Sequence, residues 1–161
     1  MIHINIFCND TLSAGLTYNN DAAVYIVNGS TKTSVTDKFT VSYQGTSLTV
    51  TCDDVKAIDG VTKDSKIIVE YTAKLNENAV IGNSGNPNEV YLEFSNKPDA
   101  SGTGDTDNTG KTPVDKVVVF TYELDTVKID GEDASKNYRT QSLLSRDQAT
   151  ICTFRLALTE R

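Results

Sequence analysis

Through residue 136, apolar and polar residues alternate with the period of a β-strand rather than that of a helix. Ile2–Cys8 sets Ile2, Ile4 and Ile6 on one face and His3 and Asn5 on the other. Ala22–Val27 is an apolar run closed by the turn pair Asn28-Gly29. Phe39–Tyr43 and Ser47–Cys52 read as two strands of a hairpin across Gln44–Thr46. Asp53–Ile58 reads as one helical turn, capped by Asp53 or Asp54. The clearest strand is Lys66–Leu75, with Ile67, Val69, Tyr71, Ala73 and Leu75 on one face. Lys66, Glu70, Thr72 and Lys74 lie on the other, which Ile68 interrupts. Glu89–Asn96 and Val114–Val127 follow as further strands.

Between the strands, Gly82–Asn88 is rich in Gly and Asn, and Lys97–Pro113 is long, polar and without apolar periodicity; both read as exposed loops. Short strands separated by turn signals, with almost no helix, predict an all-β fold, a β-sandwich.

Two polar residues break the pattern. In the first strand Ile2, Ile4, Ile6 and Cys8 have even parity, and so does Asp10. In the later strand Val90, Leu92 and Phe94 have even parity, and so does Asn96. If both strands run that far, a carboxyl and a carboxamide point into the core, where the acid must be neutral, paired or hydrogen-bonded. Parity alone leaves a simpler account open: Asp10 caps a turn before Thr-Leu-Ser, and Asn96 ends its strand before Lys-Pro.

Four runs in order, DTLSAGLTY (10–18), VEYTAKLN (69–76), GNPNEVYLEFSNKP (85–98) and VVFTYEL (118–124), resemble the isopeptide-forming D2 domain of Gram-positive pilus backbone subunits and sortase-anchored adhesins. The resemblance covers about residues 4–128 and implies an Ig-like sandwich of the CnaA type. It implies a Lys–Asn isopeptide bond, with Asn96 as the carboxamide acceptor and Asp10 as the promoting acid. Such a bond needs a neutral amine, which an apolar core favours, and an acid that polarises the amide and moves protons as ammonia leaves. The family's lysine precedes the acid by some tens of residues. Only nine residues precede Asp10 here, and none is lysine. The domain therefore reads as truncated at its N-terminus over 1–126, without a normal Lys–Asn bond and with an open sheet edge where the missing strand belongs. LDTVKID (124–130) resembles the opening strand of a following CnaB-like module over 127–136, with Lys128 as that module's lysine or, more simply, a solvated residue at a strand end.

Composition divides the chain. Of its 161 residues, all eleven lysines lie at or before Lys136 and all four arginines lie from Arg139 onward. Residues 1–136 carry a net charge of −9 and residues 137–161 a charge of +2, within a total of −7. That switch marks the tail 137–161 as a segment of different origin, frame-shifted or added, to which no structure is assigned. The acidic balance excludes nucleic acid as a partner, and no apolar run is long enough to cross a membrane. Cys8, Cys52 and Cys152 form neither a disulfide framework nor a zinc pattern, and Cys8 reads as a small core hydrophobe.

Residues 105–110, DTDNTG, begin like a calcium loop, but its twelfth position is Lys116 instead of glutamate. The single histidine, His3, leaves no Ser-His-Asp or Cys-His machinery. The chain thus reads as neither an enzyme nor a metal or cofactor protein, its only chemistry being self-crosslinking. The resemblance implies a structural part of an extracellular, cell-wall-anchored pilus subunit, with other pilus subunits as partners and with leader and anchor outside this segment. The alternative is an adhesin module that binds host protein or carbohydrate through Gly82–Asn88 or Lys97–Pro113.

Overall fold

The computed structural model describes residues 5–95, 109–129, 137–142 and 150–157. Thirteen strands occur among them: β1 (Ile6–Leu12), β2 (Leu16–Tyr18), β3 (Ala23–Asn28), β4 (Thr31–Ser34), β5 (Thr40–Gln44), β6 (Ser47–Cys52), β7 (Lys66–Leu75), β8 (Asn86–Ser95), β9 (Thr109–Lys111), β10 (Asp115–Val119), β11 (Leu124–Ile129), β12 (Asn137–Ser142) and β13 (Thr150–Ala157). One sheet runs β10-β8-β1-β6-β5, with β9 also on β8; the second runs β13-β7-β3-β4, with β2 also on β7. β11 and β12 form a separate antiparallel pair. The ladders are antiparallel throughout, and the two larger sheets make the expected sandwich.

Local chemistry explains the turns. The β5–β6 hairpin closes over Gly45-Thr46 with Gln44 opposite Ser47, and Gly45 takes φ +62°, a left-handed value that glycine adopts without a Cβ penalty. Asp54 caps the 3₁₀ turn Val55–Ala57 by accepting the backbone N–H of Lys56 at 3.0 Å. β7 matches the sequence reading residue for residue, with Ile67, Val69, Tyr71 and Ala73 buried and Ile68 buried too, while Leu75 is only half-buried.

The core divides into two clusters. Ile6, Val24, Val50, Val55, Val69 and Leu92 belong to the first. Leu12, Leu16, Tyr18, Leu48, Tyr71 and Ala73 form the second, which surrounds the polar residues described below. Cys8 and Cys52 are buried in the first, and burial pushes the Cys52 thiol up.

Four readings change. The run 114–127 is two strands, β10 and β11, with 120–123 between them. The segment expected to be loop at 82–88 becomes strand at Asn86, and the loop expected at 97–113 ends in the short strand β9 against β8. The tail contributes strands, β12 on β11 and β13 on β7. As a result the edge of β7 is not open: β13 covers it from Ala73 to Lys66. An unpaired edge presents a row of backbone donors and acceptors, and an extended segment that satisfies them is favoured whatever its origin.

Candidate functional site

Asp10 sits near the centre of its sheet, in β1, opposite Leu48 of β6 on one side and Val90 of β8 on the other. Its even parity aims it inward, and it is 3% exposed. Across the sandwich, the Tyr71 hydroxyl of β7 donates to Asp10 Oδ2 at 2.6 Å. Asn88 lies two residues before Val90 on β8, so it is the diagonal neighbour of Asp10. Its Nδ2 donates to the Tyr71 hydroxyl oxygen at 2.7 Å and lies 3.4 Å from Asp10 Oδ2. Asn88 is 4% exposed. The three residues therefore join the two sheets through a buried carboxyl, a phenol and a carboxamide.

Burial is the main influence on the Asp10 carboxyl and raises its pKa; the hydrogen bonds from Tyr71 and Asn88 oppose that rise. Asp10 Oδ1 is buried with no hydrogen-bond partner among the described residues. A buried carboxyl with one satisfied oxygen favours the protonated form, which can donate from its second oxygen. Chemically, the cluster sets a carboxyl whose pKa is raised beside a carboxamide and a phenol in a buried setting.

A second buried asparagine has a different task. Asn86 is fully buried; its Oδ1 accepts the Val80 N–H at 2.8 Å, and its Nδ2 donates to the carbonyls of Val80 (3.1 Å) and Val119 (3.3 Å). It fastens the turn before β8 to the end of β10. Gly15 is required next to it, because a Cβ there would collide with Asn86 Oδ1 and lie 2.7 Å from the Ala79 Cα.

Asn96 lies outside the described residues, as do His3 and residues 97–108 of the long loop. Phe94, two residues before Asn96, is opposite Ile6, four positions along β1 from Asp10. Lys128 falls in β11, in register with Tyr138 of β12. Lys116, at the twelfth position of the calcium-like run, pairs with Glu89 at 3.0 Å, and no His/Cys/Asp/Glu group suited to a metal occurs among the described residues. Both asparagines of the 82–88 stretch that fall on β8 are buried, so that part of the expected binding loop offers no carboxamide to a ligand; Val80 and Ile81 beside it are exposed.

Sequence reasoning missed Asn86, Asn88 and the hydroxyl of Tyr71. The signal for the asparagines was present: 86 and 88 continue the even parity of Val90, Leu92 and Phe94.

Comparisons with known proteins agree with this architecture. Residues 2–98 match the family described as Gram-positive pilin backbone subunit 2, Cna-B-like domain. The match carries that description and not the finer CnaA-type label. The trypsin-resistant surface T6 protein of Streptococcus pyogenes serotype M6 is 24% identical over 143 residues, covering 80% of this chain and 26% of that protein. The solved T6 backbone pilin of serotype M6 Streptococcus pyogenes, described as a modular three-domain structure decorated with variable loops and extensions, superposes with a TM-score of 0.55 at 20% identity. That superposition covers 98% of this chain and 43% of the solved one, and at this identity it shows the fold. The chain thus spans about a quarter of the curated relative's length.

Proposed function

The chain belongs to the Gram-positive pilin backbone subunit family, and we propose that it is a load-bearing module of a pilus shaft, displayed outside the cell and joined to other pilus subunits. It turns over no substrate. Its chemistry, in a polypeptide that also carries the lysine strand, is the closure of one internal isopeptide bond. The lysine Nζ attacks the carboxamide carbon of an asparagine, a new C–N bond forms, and the old one breaks. The Nδ2 leaves as ammonia, taking a proton that Asp10 relays from the amine. Nothing is oxidised or reduced. The observation that carries this reading is the buried contact of Asp10 with Tyr71 and Asn88.

The acid is then Asp10, as the resemblance implies, and the carboxamide that the fold brings to it is Asn88. Asn96 is the acceptor by sequence mapping alone. The register favours Asn88, since Phe94 is already four strand positions, roughly 13 Å, along from Asp10. Lys128 is the lysine of a following module begun by β11. A covalent tie of this kind keeps strands together under force and narrows the unfolded ensemble, as a disulfide does for about 2–4 kcal/mol.

The test is intact mass. The present chain should show its full sequence mass. A version extended upstream through a lysine-bearing strand should lose about 17 Da, one ammonia. Asn88→Ala and Asp10→Ala should abolish that loss and Asn96→Ala should not. Retention of the loss in Asp10→Ala would refute the role of the acid; its abolition by Asn96→Ala alone would return the acceptor to Asn96.

A further inference from the structure

The exposed large apolar side chains among the described residues all lie in one place. They are Val80, Ile81, Val114, Val117, Phe120 and Tyr122. The turn before β8 and the segment after β10 bring them together: Ile81 bridges Thr121, and the Gly82 N–H donates to the Thr121 carbonyl at 2.8 Å. Apolar exposure gathered in this way marks a surface that another chain covers.

The patch follows a sheet edge. β10 ends its sheet, pairing β8 on one side and no strand among the described residues on the other. Edge strands are commonly kept from pairing by lysine and polar residues at their exposed positions. β4 and β5 also end sheets and follow that rule. β4 is wholly exposed and carries Lys32 among Thr and Ser, and the exposed residues of β5 are Thr40, Ser42 and Gln44. β10 departs from it, with three valines at 117–119 followed by the exposed Phe120. Its one lysine, Lys116, is held by Glu89 at 3.0 Å.

The free stretch has sharp limits. Lys111 of β9 is opposite Glu93 and Asp115 of β10 is opposite Val90, four steps on this segment against three on β8. The extra residue makes a bulge across Pro113, which has no N–H to offer. At the other end Thr121 is already engaged by Ile81 and Gly82. The edge between these limits runs from 114 to 120, and its midpoint is Val117. Laid antiparallel on itself about that midpoint, it sets Val117 against Val117, Val114 against Phe120, Asp115 against Val119 and Lys116 against Val118. Residues of like parity meet, as one continuous sheet requires. Exposed apolar residues meet each other, and no charge directly faces a like charge.

We propose that the β10 edge is a self-pairing surface: two copies of this chain join β10 to β10 about a two-fold axis at Val117, making one sheet across the pair. The interface is isologous and closes at two copies, because each uses its own edge. It is independent of the buried acid cluster and of any isopeptide bond. Each copy carries a charge of −7, so low ionic strength opposes the pair and added salt favours it.

The experiment measures self-association of the full chain by sedimentation equilibrium at about 0.15 M salt, where charges are screened beyond roughly 8 Å. Wild type should form dimers. Val117→Glu and Val117→Arg each set a like charge against its own copy on the axis, and each should weaken the dimer by about tenfold or more. An equal mixture of the two should restore it to within about threefold of wild type, because Glu then meets Arg. Thr40→Glu, on the β5 edge, should leave it unchanged. A chain that stays monomeric up to about 1 mM, or that builds assemblies larger than a dimer, overturns the proposal. So does a dimer that survives both Val117 variants, one that does not recover on mixing them, or one that Thr40→Glu also abolishes. Amide hydrogen exchange gives a second reading without any substitution. The amides of 115–119 should gain protection as dimers form, and unchanged exchange there overturns the pairing of β10.

Discussion

Removing one oxygen from the core should reveal how the buried acid is held. Tyr71→Phe keeps the ring, including its edge-on packing against Tyr18 at 5.7 Å, and deletes the hydroxyl that donates to Asp10 Oδ2 at 2.6 Å. A buried hydrogen bond to an ionised group contributes about 1.5–3 kcal/mol, against about 1 kcal/mol for a neutral pair. The cost therefore depends on the charge of Asp10. Its carboxyl is raised by burial, so folding binds its proton more tightly than the unfolded chain does. Asp10's contribution to stability is complete below the ordinary Asp range and declines as pH rises through the folded-state value. Tyr71→Phe takes away a group that lowers that value, so it raises it further and enlarges the decline. At about 2–4 °C per kcal/mol for a chain of this size, the variant should melt roughly 3–10 °C below wild type near pH 8. Near pH 3.5 the gap should shrink to a few degrees. Calorimetric melts at both pH values decide the matter. An equal gap at the two pH values would show that the hydroxyl does not act on Asp10.

Two further substitutions test the frame around the site. Asn86→Ala removes the bonds to Val80 and Val119 at 2.8–3.3 Å and leaves buried backbone groups unpaired; a loss of about 2–4 kcal/mol is expected, with faster exchange of the Val80 amide, and a loss below about 0.5 kcal/mol would contradict the fastening role. Gly15→Ala places a methyl against Asn86 Oδ1 and the Ala79 backbone and should cost about 1–3 kcal/mol in urea unfolding, whereas Gly45→Ala meets no atom within 4 Å and carries only the left-handed backbone penalty of about 1 kcal/mol.

The sequence made some of this legible and hid the rest for identifiable reasons. β7 could be read because ten residues sustain a period of two, and the β5–β6 hairpin because its turn chemistry sits between two such runs. Asp10 could be placed inward because it shares parity with the isoleucines before it. Asn86 and Asn88 are hidden because Gly and Asn composition over 82–88 has the signature of a loop, although both residues share the parity of Val90 and Leu92. Tyr71 was read correctly as a core residue, but periodicity sees a ring and not the partner of its hydroxyl. β2, β4 and β9 are three or four residues long, too short to show a period. β13 was invisible for another reason: its existence depends on a vacant edge of β7, a property of the assembled sheet and not of residues 150–157.

The cluster's position suggests what it is for, and the suggestion can be tested. Asp10 lies on a strand flanked by β6 and β8, and Tyr71 on one flanked by β3 and β13. A polar tie between two such interior strands is a costly way to gain stability, because a buried charged network replaced by apolar residues of similar volume is often neutral or stabilising by about 1–4 kcal/mol. Removing one member alone is different: Asp10→Leu takes away the Oδ2 acceptor of the Tyr71 hydroxyl (2.6 Å) and of the longer Asn88 contact (3.4 Å), at about 1–3 kcal/mol. The combined variant Asp10→Leu, Tyr71→Phe, Asn88→Leu should therefore be at least as stable as wild type in urea unfolding, while a lysine-restored version of it loses no ammonia. That pairing of results would separate chemistry from stability as the reason the core holds an acid. A triple variant that is weaker than Asp10→Leu alone would show the opposite, that the cluster is a stabilising network in its own right.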